Sequence, residues 1–345
     1  MEPKICVIGA GVIGLSTAVN IQKRIPTARV TIIAEEFSPN LTSDVAAGIW
    51  EPHILGNTDV SLQRKWATET FEHYAEMLMG ELAGECGIQL ISGYQLFNED
   101  MDVKVPFWSD IVFNFRILTA DDNAKKFLPP HSSGWSYSTI LAHPPHYMKW
   151  LIKRFHQEGG SMIKMSVKNF EQVAFPFDVI VNCTGLGARK LANDSSVEPV
   201  QGHVLKVKAP WLTHFLIDQT KAKLDVRVVM FPGVEIVTLG GTGVKGAWNT
   251  TPDAEVSQRI WRNCCNVLPS LKDAKVVREA VGLRPFRPTV RLEMETLKSA
   301  AGDIKVVHNY GHGGSGFTVQ WGVAREAAEL VVKALEHRSH LTSKL

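Results

Sequence analysis

The segment Lys4–Glu36 reads KICVIGAGVIGLSTAVNIQKRIPTARVTIIAEE, and it decides the fold of the chain. Lys4–Ile8 is a short run of apolar, largely β-branched residues, which predicts a buried strand. The apolar residues between Val12 and Lys23 have helical spacing, and Arg29–Ala34 predicts a second buried strand. Strand, helix and strand follow one another within about thirty residues, which is the length of a βαβ unit. The sequence therefore predicts an α/β fold.

Three glycines after the first predicted strand form the pattern Gly9-x-Gly11-x-x-Gly14. The first permits a tight turn, the second lets a pyrophosphate approach the backbone, and the third lets helix and strand pack closely. The start of the helix offers N–H groups and a positive dipole end to phosphates. The second strand ends in Glu35-Glu36, and a carboxylate there accepts hydrogen bonds from adenosine ribose hydroxyls, with Glu35 favoured by register. This unit predicts a site for FAD or NAD rather than NADP.

Two later glycine-rich segments favour FAD over NAD. Asn182–Gly187 follows a strand predicted at Asp178–Cys183, and ligands bind beyond the carboxyl ends of such strands. Gly311–Gly316 precedes a predicted final helix, whose N-terminus brings further N–H groups to a ligand. Each segment alone is compatible with an ordinary turn, but several glycine-lined approaches together are typical of a large, enclosed cofactor.

The other elements are predicted from the periodicity of apolar residues. Helices are predicted at Leu62–Leu78, at His146–His156 and from the last glycine segment to about Glu336, and strands at Val204–Val207, Val226–Phe231, Glu235–Leu239 and Ile304–His308. Pro232-Gly233 joins the second and third of these strands.

Composition argues against several functional classes. Of the 345 residues, 45% are hydrophobic and 21% charged, as in an ordinary globular protein. A net charge of +2 gives no reason to expect nucleic-acid or membrane binding, and no apolar run is long enough to span a bilayer. The cysteines lack CxxC spacing and clustered histidines, so we expect reduced thiols and no metal site. They are Cys6, Cys86, Cys183, Cys264 and Cys265.

The last three residues, Ser343-Lys344-Leu345, match the signal that the peroxisomal import receptor reads at a free C-terminus. The N-terminus lacks a signal-peptide pattern. We therefore expect a protein of the peroxisomal matrix, where peroxide-generating oxidases are housed. The sequence does not indicate an oligomeric state.

Seven segments together resemble the D-amino-acid oxidase family, and most closely its D-aspartate oxidase branch. They occur in the family's order and span nearly the whole chain. The segments are VIGAGVIGLSTAV (7–19), TSDVAAG (42–48), VPFWSDIV (105–112), DVIVNCTGLGAR (178–189), VTLGGT (237–242), GLRPFRP (282–288) and HNYGHGGSGFT (308–318).

The resemblance implies a flavoprotein with a Rossmann-like FAD-binding domain and a second, mainly antiparallel α+β substrate domain. The FAD-binding domain would comprise residues 1–50, 140–195 and 285–345, and the substrate domain residues 51–139 and 196–284. The implied reaction oxidises a D-amino acid to an imino acid, passes the electrons to O₂ as H₂O₂, and ends in hydrolysis to a 2-oxo acid and ammonia. Because the flavin supplies the redox chemistry, no catalytic acid–base side chain is required, and the protein must clamp the substrate.

The resemblance also implies the site residues. Arg284 would bind the α-carboxylate of the substrate, for which a guanidinium fork is suited, and the carbonyl of Gly314 would accept a hydrogen bond from the amine. We expect Arg287, in the same motif, to form a structural ion pair. The residues that fall where the family contacts FAD are Gly9, Ala10, Gly11, Gly14, Glu35, Glu36, Thr42, Ser43, Ala47, Gly48, Ile49, Val167, Gly313, Gly316, Phe317 and Thr318. Glu36 replaces a basic residue often found there.

The chain departs from the family pattern in the substrate region. Val229 stands where a tyrosine usually contacts the α-carboxylate, and Ile217 where D-aspartate oxidases have an arginine. An anionic side chain then requires another cation, and Arg227 and His53 are the candidates. Alternation along a strand predicts that Arg227 and Val229 share one face. The nearby Lys221, Lys223 and Asp225 are expected to be solvated loop charges.

The expected substrates are acidic D-amino acids, D-aspartate and D-glutamate. The alternative within the same chemistry is an oxidase of neutral D-amino acids. An NAD-dependent dehydrogenase and a non-enzymatic flavin-binding protein, the latter suggested by Val229, are the other classes that the sequence leaves open.

Overall fold

The structure of the chain, a computed structural model, describes residues 2–98, 104–119, 132–220, 226–300 and 302–342. Its helices are α1 (Val12–Arg24), α2 (Thr42–Val45), α3 (Val60–Met79), α4 (Ala83–Cys86), α5 (Pro144–Gln157), α6 (Glu171–Ala174), α7 (Ala188–Leu191), α8 (Ala254–Val267) and α9 (Gly316–Thr342). Its strands are β1 (Lys4–Ile8), β2 (Arg29–Ala34), β3 (Ile88–Asn98), β4 (Phe113–Ile117), β5 (Ser132–Ala142), β6 (Ser161–Lys164), β7 (Val179–Asn182), β8 (Glu198–Lys208), β9 (His214–Asp218), β10 (Val226–Pro232), β11 (Val237–Thr242), β12 (Val244–Lys245), β13 (Lys275–Ser299) and β14 (Gly302–His312).

The strands form one mixed sheet in the order β4-β5-β3-β9-β10-β11-β8-β13-β14-β7-β1-β2-β6, and β12 pairs with β8 outside this path. At one end, the five strands β6, β2, β1, β7 and β14 run parallel to one another. From β14 across to β4, neighbouring strands are antiparallel except for the parallel pair of β3 and β9. This large mixed sheet confirms the predicted α/β class.

The predicted βαβ unit is present with its predicted strand boundaries. β1 and β2 pair in parallel from Lys4↔Arg29 to Ile8↔Ile33. A Cβ on Gly14 would lie 2.0 Å from the carbonyl oxygen of Gly9, so this glycine lets α1 start directly against the turn. The turn itself requires glycine at Gly9, where φ is +109°.

Other elements are where the sequence predicts them, but several are longer. β8 begins at Glu198, although its apolar run begins at Val204. It continues because β13 pairs with one edge from Glu198 onward and β12 pairs with Val200 and Gln201 at the other, so backbone groups before Val204 also have strand partners. The late strand predicted at Ile304–His308 likewise extends through His312 in β14.

β13 lies between β8 and β14 and so connects the antiparallel part of the sheet to the part that contains the parallel strands. Its first part, from Lys275 to Phe286, pairs with β8, and its second part, from Arg291 to Ser299, pairs with β14. The domain boundary proposed between residues 284 and 285 therefore falls within a continuous strand. Arg284 lies near the middle of this strand, close to where its partner changes.

Helices pack on the sheet to form the core. A large cluster joins α1, α3, α5 and α9 to the strands, and a second cluster packs α8 on β10 and β11. All five cysteines are buried and free, and the adjacent Cys264 and Cys265 belong to the second cluster. Within the described ranges, no helix has the length and apolar character needed to cross a bilayer.

Candidate active site

A cavity of about 890 Å³ opens beyond the carboxyl ends of β1, β2 and β7 and extends to the faces of β8, β10 and β13. This is the position where open α/β sheets bind ligands, and the volume lies in the range of ligand pockets. Fourteen of the sixteen residues predicted to contact FAD line it. They are Gly9, Ala10, Gly11, Glu35, Glu36, Thr42, Ser43, Ala47, Gly48, Ile49, Val167, Gly313, Gly316 and Phe317.

The remaining two residues have other contacts. Gly14 packs against the turn at Gly9, as described above. The hydroxyl of Thr318 accepts a hydrogen bond from the backbone N–H of Glu51 and donates one to its carbonyl oxygen, at 3.2 and 2.8 Å. Both residues therefore shape the cavity through the backbone that they hold, without lining it.

One end of the cavity is acidic. Glu35 and Glu36 follow β2, and the carboxylate of Glu36 lies 3.1 Å from the ammonium group of Lys164. The described residues show no such partner for Glu35, so its carboxylate is available to ribose hydroxyls, as its register predicts. Between this end and the rest of the cavity lies Gly11, where a Cβ would meet Ser43 Oγ at 3.3 Å and no other atom within 4 Å outside its own turn. The backbone here is open to a ligand.

The segment Thr42–Gly48 is fastened to distant parts of the chain. Ser43 Oγ accepts a hydrogen bond from Val12 N–H at 3.0 Å, at the start of α1. The buried ammonium group of Lys206 donates to the carbonyl of Ala46 at 3.0 Å. These contacts make the segment a fixed wall of the cavity.

These features fit FAD. A carboxylate lies at the adenosine end, the start of α1 and its glycine turn face the centre, and the start of α9 adds N–H groups from Gly316 onward. The cavity then continues to β8, β10 and β13, so it accommodates a long cofactor with space beyond it. In the part of the chain that the structure describes, no cluster of three or more His, Cys, Asp or Glu side chains could hold a metal ion.

Arg284 lies in this further space. Its Nη1 donates a hydrogen bond to the carbonyl of Thr242 at 3.2 Å, and the described residues provide no carboxylate partner. Burial and the nearby Arg227 lower the pKa of Arg284. The guanidinium packs directly against Gly202. A Cβ at that position would be only 2.5 Å from Nη1, so only glycine leaves room for it. It is therefore a half-buried cation without a carboxylate partner among the described residues.

His53 and Gly314 are brought beside Arg284. A Cβ on Gly314 would lie 2.8 Å from His53 Cδ2 and 3.6 Å from Arg284 Cδ. Ser315 Oγ holds the backbone of His53, accepting from its N–H and donating to its carbonyl, both at 2.7 Å. Burial, with smaller contributions from Arg284 and Arg227, lowers the pKa of His53 to about 4. His53 is thus neutral at pH 7, and it provides hydrogen bonding rather than the positive charge considered for it.

Arg227 and Val229 share a face, as alternation predicts. Both line the cavity together with Phe231, whereas the intervening Val228 and Met230 pack in the core against α8. Ile217 pairs with Val229 and also lines the cavity. Lys221, Lys223 and Asp225 lie outside the described residues. Arg287 forms the expected structural ion pair, with Nε 2.8 Å from Asp194 Oδ2.

Three further residues of the site were not found from the sequence. Glu51 and Lys245 line the cavity, and Gly202 makes room for Arg284. Lys245 on β12 and Arg284 on β13 both pair with Val200, from opposite edges of β8, so their side chains share a face of the sheet. No local motif marks these positions, because long-range contacts bring them to the site: strand pairing for Gly202 and Lys245, and backbone hydrogen bonds to Thr318 for Glu51.

Comparison with known proteins agrees with this geometry. A D-aspartate oxidase of Homo sapiens is 45% identical over 328 residues, which cover 95% of this chain and 94% of that protein. A D-amino acid oxidase of Dugesia ryukyuensis is 32% identical, with 95% and 97% coverage. The solved glycine oxidase from Geobacillus kaustophilus matches with a TM-score of 0.75 at 18% identity, covering 96% of this chain and 95% of that one, which shows the fold alone. The family model described as FAD dependent oxidoreductase matches residues 4–330, and the chain therefore belongs to the FAD dependent oxidoreductases.

Proposed function

We propose that the chain is an FAD-dependent oxidase of acidic D-amino acids. It would convert D-aspartate and D-glutamate to the 2-oxo acid and ammonia, with O₂ as the electron acceptor and H₂O₂ as a product. The relative with 45% identity is a D-aspartate oxidase, and further relatives are D-amino-acid oxidases. Such similarity over 95% of the chain supports a shared reaction.

The observation that carries the acidic preference is a pair of guanidinium groups in one cavity. Arg227 lies near enough to Arg284 to lower its pKa, and both side chains line the same space. Like charges in one site repel, and an unpaired cation is costly at the half-buried Arg284, whereas Arg227 is exposed. A dicarboxylate relieves both costs, since its two carboxylates neutralise one guanidinium each. A neutral amino acid would leave Arg227 unpaired.

The chain's own groups orient the substrate. Arg284 would hold the α-carboxylate through its two parallel N–H groups, and Gly314 would accept a hydrogen bond from the amine. The neutral imidazole of His53 adds no positive charge beside that amine, so it does not repel a substrate that arrives as an ammonium. Bound FAD would supply the redox chemistry, so the side chains serve to position the substrate and exclude water.

Oxidation of neutral D-amino acids is the second candidate, and the wall beside Arg227 favours it. Ile217 and Val229 present apolar side chains to the cavity where the resemblance leads us to expect an arginine and a tyrosine. A small apolar substrate side chain would pack well against this wall.

Steady-state oxidation by the purified holoenzyme tests the proposal. D-aspartate, D-glutamate, D-alanine and D-proline are compared by kcat/KM, with L-aspartate as the stereochemical control. We expect the acidic D-substrates to have the highest kcat/KM. Higher values for D-alanine or D-proline would establish the neutral-substrate candidate, and no turnover of any D-amino acid would reject both.

We propose in addition that the enzyme is imported into the peroxisomal matrix. The support is the sequence Ser343-Lys344-Leu345, which matches the import signal and lies outside the described residues. An oxidase that releases H₂O₂ is suited to that compartment.

A further inference from the structure

Glu51 is a half-buried residue that lines the cavity, and the proposed reaction assigns no role to its carboxyl group. Its backbone is fixed on both sides by the hydroxyl of Thr318. Its side chain meets the amide of Gln95, whose Oε1 already accepts a hydrogen bond from the Tyr137 hydroxyl at 3.3 Å. Interaction with the Gln95 side chain favours the ionised form of Glu51. These contacts place Glu51 beside Gln95 at the cavity wall.

The wall beside Glu51 is the region where the substrate side chain would lie. Gln95, Ile217 and Val229 are cross-strand partners in β3, β9 and β10, so their side chains form one row on one face of the sheet. Ile217 and Val229 provide no polar atom in this row. Glu51 lies at the Gln95 end of the row, and Arg227 is two residues from Val229 along the same face.

We propose that Glu51 is a specificity-determining residue that discriminates between substrates by the charge of their side chains. As a carboxylic acid it donates a hydrogen bond to a side-chain carboxylate, and as a carboxylate it repels that group. This inference rests on the proposed oxidation of acidic D-amino acids, and it adds a pH-dependent control of substrate choice.

The cavity sets the charge of Glu51. Burial raises the pKa of Glu51 to about 7, against a smaller opposing effect of the hydrogen bond from Gln95. An acid with a raised pKa is neutral below that value and ionised above it. Glu51 is therefore mainly a hydrogen-bond donor at pH 6 and mainly an anion at pH 8.5.

Neighbouring groups do not change charge over this interval. Burial raises the pKa of Tyr137 well above its ordinary value, so it stays neutral. The pKa of His53 is about 4, so it too stays neutral. Arg284 remains protonated, as guanidinium groups do in proteins. The other charged side chains that line the cavity near the substrate region are Asp218 on β9 and Lys245 on β12.

The test compares D-aspartate with D-asparagine, which have the same shape and differ in side-chain charge. The ratio of their kcat/KM values cancels titrations that affect both substrates equally. Between pH 6 and pH 8.5 the acid fraction of a group with a pKa near 7 falls from roughly nine-tenths to roughly one-thirtieth. We therefore expect the ratio of D-aspartate to D-asparagine to fall about thirtyfold in the wild type. In Glu51→Gln we expect it to stay near its low-pH value throughout.

Glu235→Gln is the matched control, because it removes an acid of the same kind from the exposed turn between β10 and β11. This variant should keep the wild-type pH dependence of the ratio. A ratio independent of pH in the wild type, or an unchanged pH dependence in Glu51→Gln, would overturn the inference. Turnover of D-asparagine without turnover of D-aspartate at any pH would instead reject the acidic-substrate function.

Binding gives a second readout that does not need turnover. Malonate and malonamate differ by the same charge, and their dissociation constants can be measured from the flavin absorbance of the holoenzyme. The inference requires the malonate preference to weaken above pH 7 in the wild type and to persist in Glu51→Gln. Equal pH dependence of the two proteins would reject it, whether or not a D-amino acid is oxidised.

Discussion

Substitution of Gly202 by alanine should disable substrate binding while leaving the FAD site intact. A Cβ at this position of β8 would lie 2.5 Å from Nη1 and 2.6 Å from Nη2 of Arg284. Non-bonded heavy atoms need about 3.5 Å, so the guanidinium must move by roughly 1 Å. Because the guanidinium is the flexible end of a side chain, it yields more readily than the strand does. The damage should therefore fall on the position of Arg284 and not on the fold.

The expected loss is large for a single methyl group. A displacement of about 1 Å in a positioning group costs about a hundredfold in rate, which corresponds to about 2.7 kcal/mol. The hydrogen bond from Nη1 to the carbonyl of Thr242, now 3.2 Å long, would also be disturbed. We expect kcat/KM for D-aspartate to fall about a hundredfold in Gly202→Ala, with FAD still bound.

Steady-state kinetics, flavin absorbance and the thermal midpoint together measure this effect. Gly84→Ala is the matched control, since a Cβ at Gly84 in α4 meets no atom within 4 Å. The double variant Gly202→Ala/Arg284→Ala should be no worse than Arg284→Ala, because both changes act on the same contact. Native kcat/KM in Gly202→Ala, or additive losses in the double variant, would refute the reasoning.

Three other predictions concern binding of the substrate α-carboxylate, binding of the substrate side chain, and import into peroxisomes. Arg284→Ala should lose about 2–5 kcal/mol of transition-state stabilisation with FAD retained, since it removes the partner of a carboxylate, and near-native activity would exclude Arg284 from the mechanism. Arg227→Ala should raise KM for D-aspartate well above any change for D-alanine, whereas equal effects would make Arg227 a surface charge. Deletion of Ser343-Lys344-Leu345 should move the protein from peroxisomes to the cytosol without changing its activity in vitro, and continued import of the truncated chain would contradict this.

The nucleotide half of the site could be predicted from the sequence because it is built locally. Strand, glycine turn, helix and second strand lie within Lys4–Glu36, so periodicity and turn chemistry determine their arrangement. The functions expected of the glycines also follow from local geometry. Gly14 is needed for packing and Gly11 for an open backbone, as the space around each shows.

The substrate half could not be predicted in the same way because its residues meet through long-range pairing. Gly202 and Arg284 are 82 positions apart and come together because β8 and β13 are neighbours. Lys245 reaches the same face through β12. Resemblance to a family selects Arg284, but it says nothing about a glycine whose missing side chain makes the space. The role of Gly202 is evident only from the structure, in which a Cβ at this position would collide with the guanidinium of Arg284.

The two departures at Ile217 and Val229 remove polar groups from the wall without removing positive charge from the cavity. Arg227 supplies charge from the same strand as Val229, and Lys245 supplies it from across β8. Charge acts over several ångströms, whereas a hydroxyl contact requires hydrogen-bond distance, so a cation can be relocated between strands more easily than the lost tyrosine contact can. An acidic substrate would therefore still be attracted to this cavity, but its side chain would be oriented less strictly by Ile217 and Val229. The carboxyl group of Glu51, a residue that Thr318 holds through its backbone and whose side chain lies beside Gln95, is the group that would restore a directional contact at the wall.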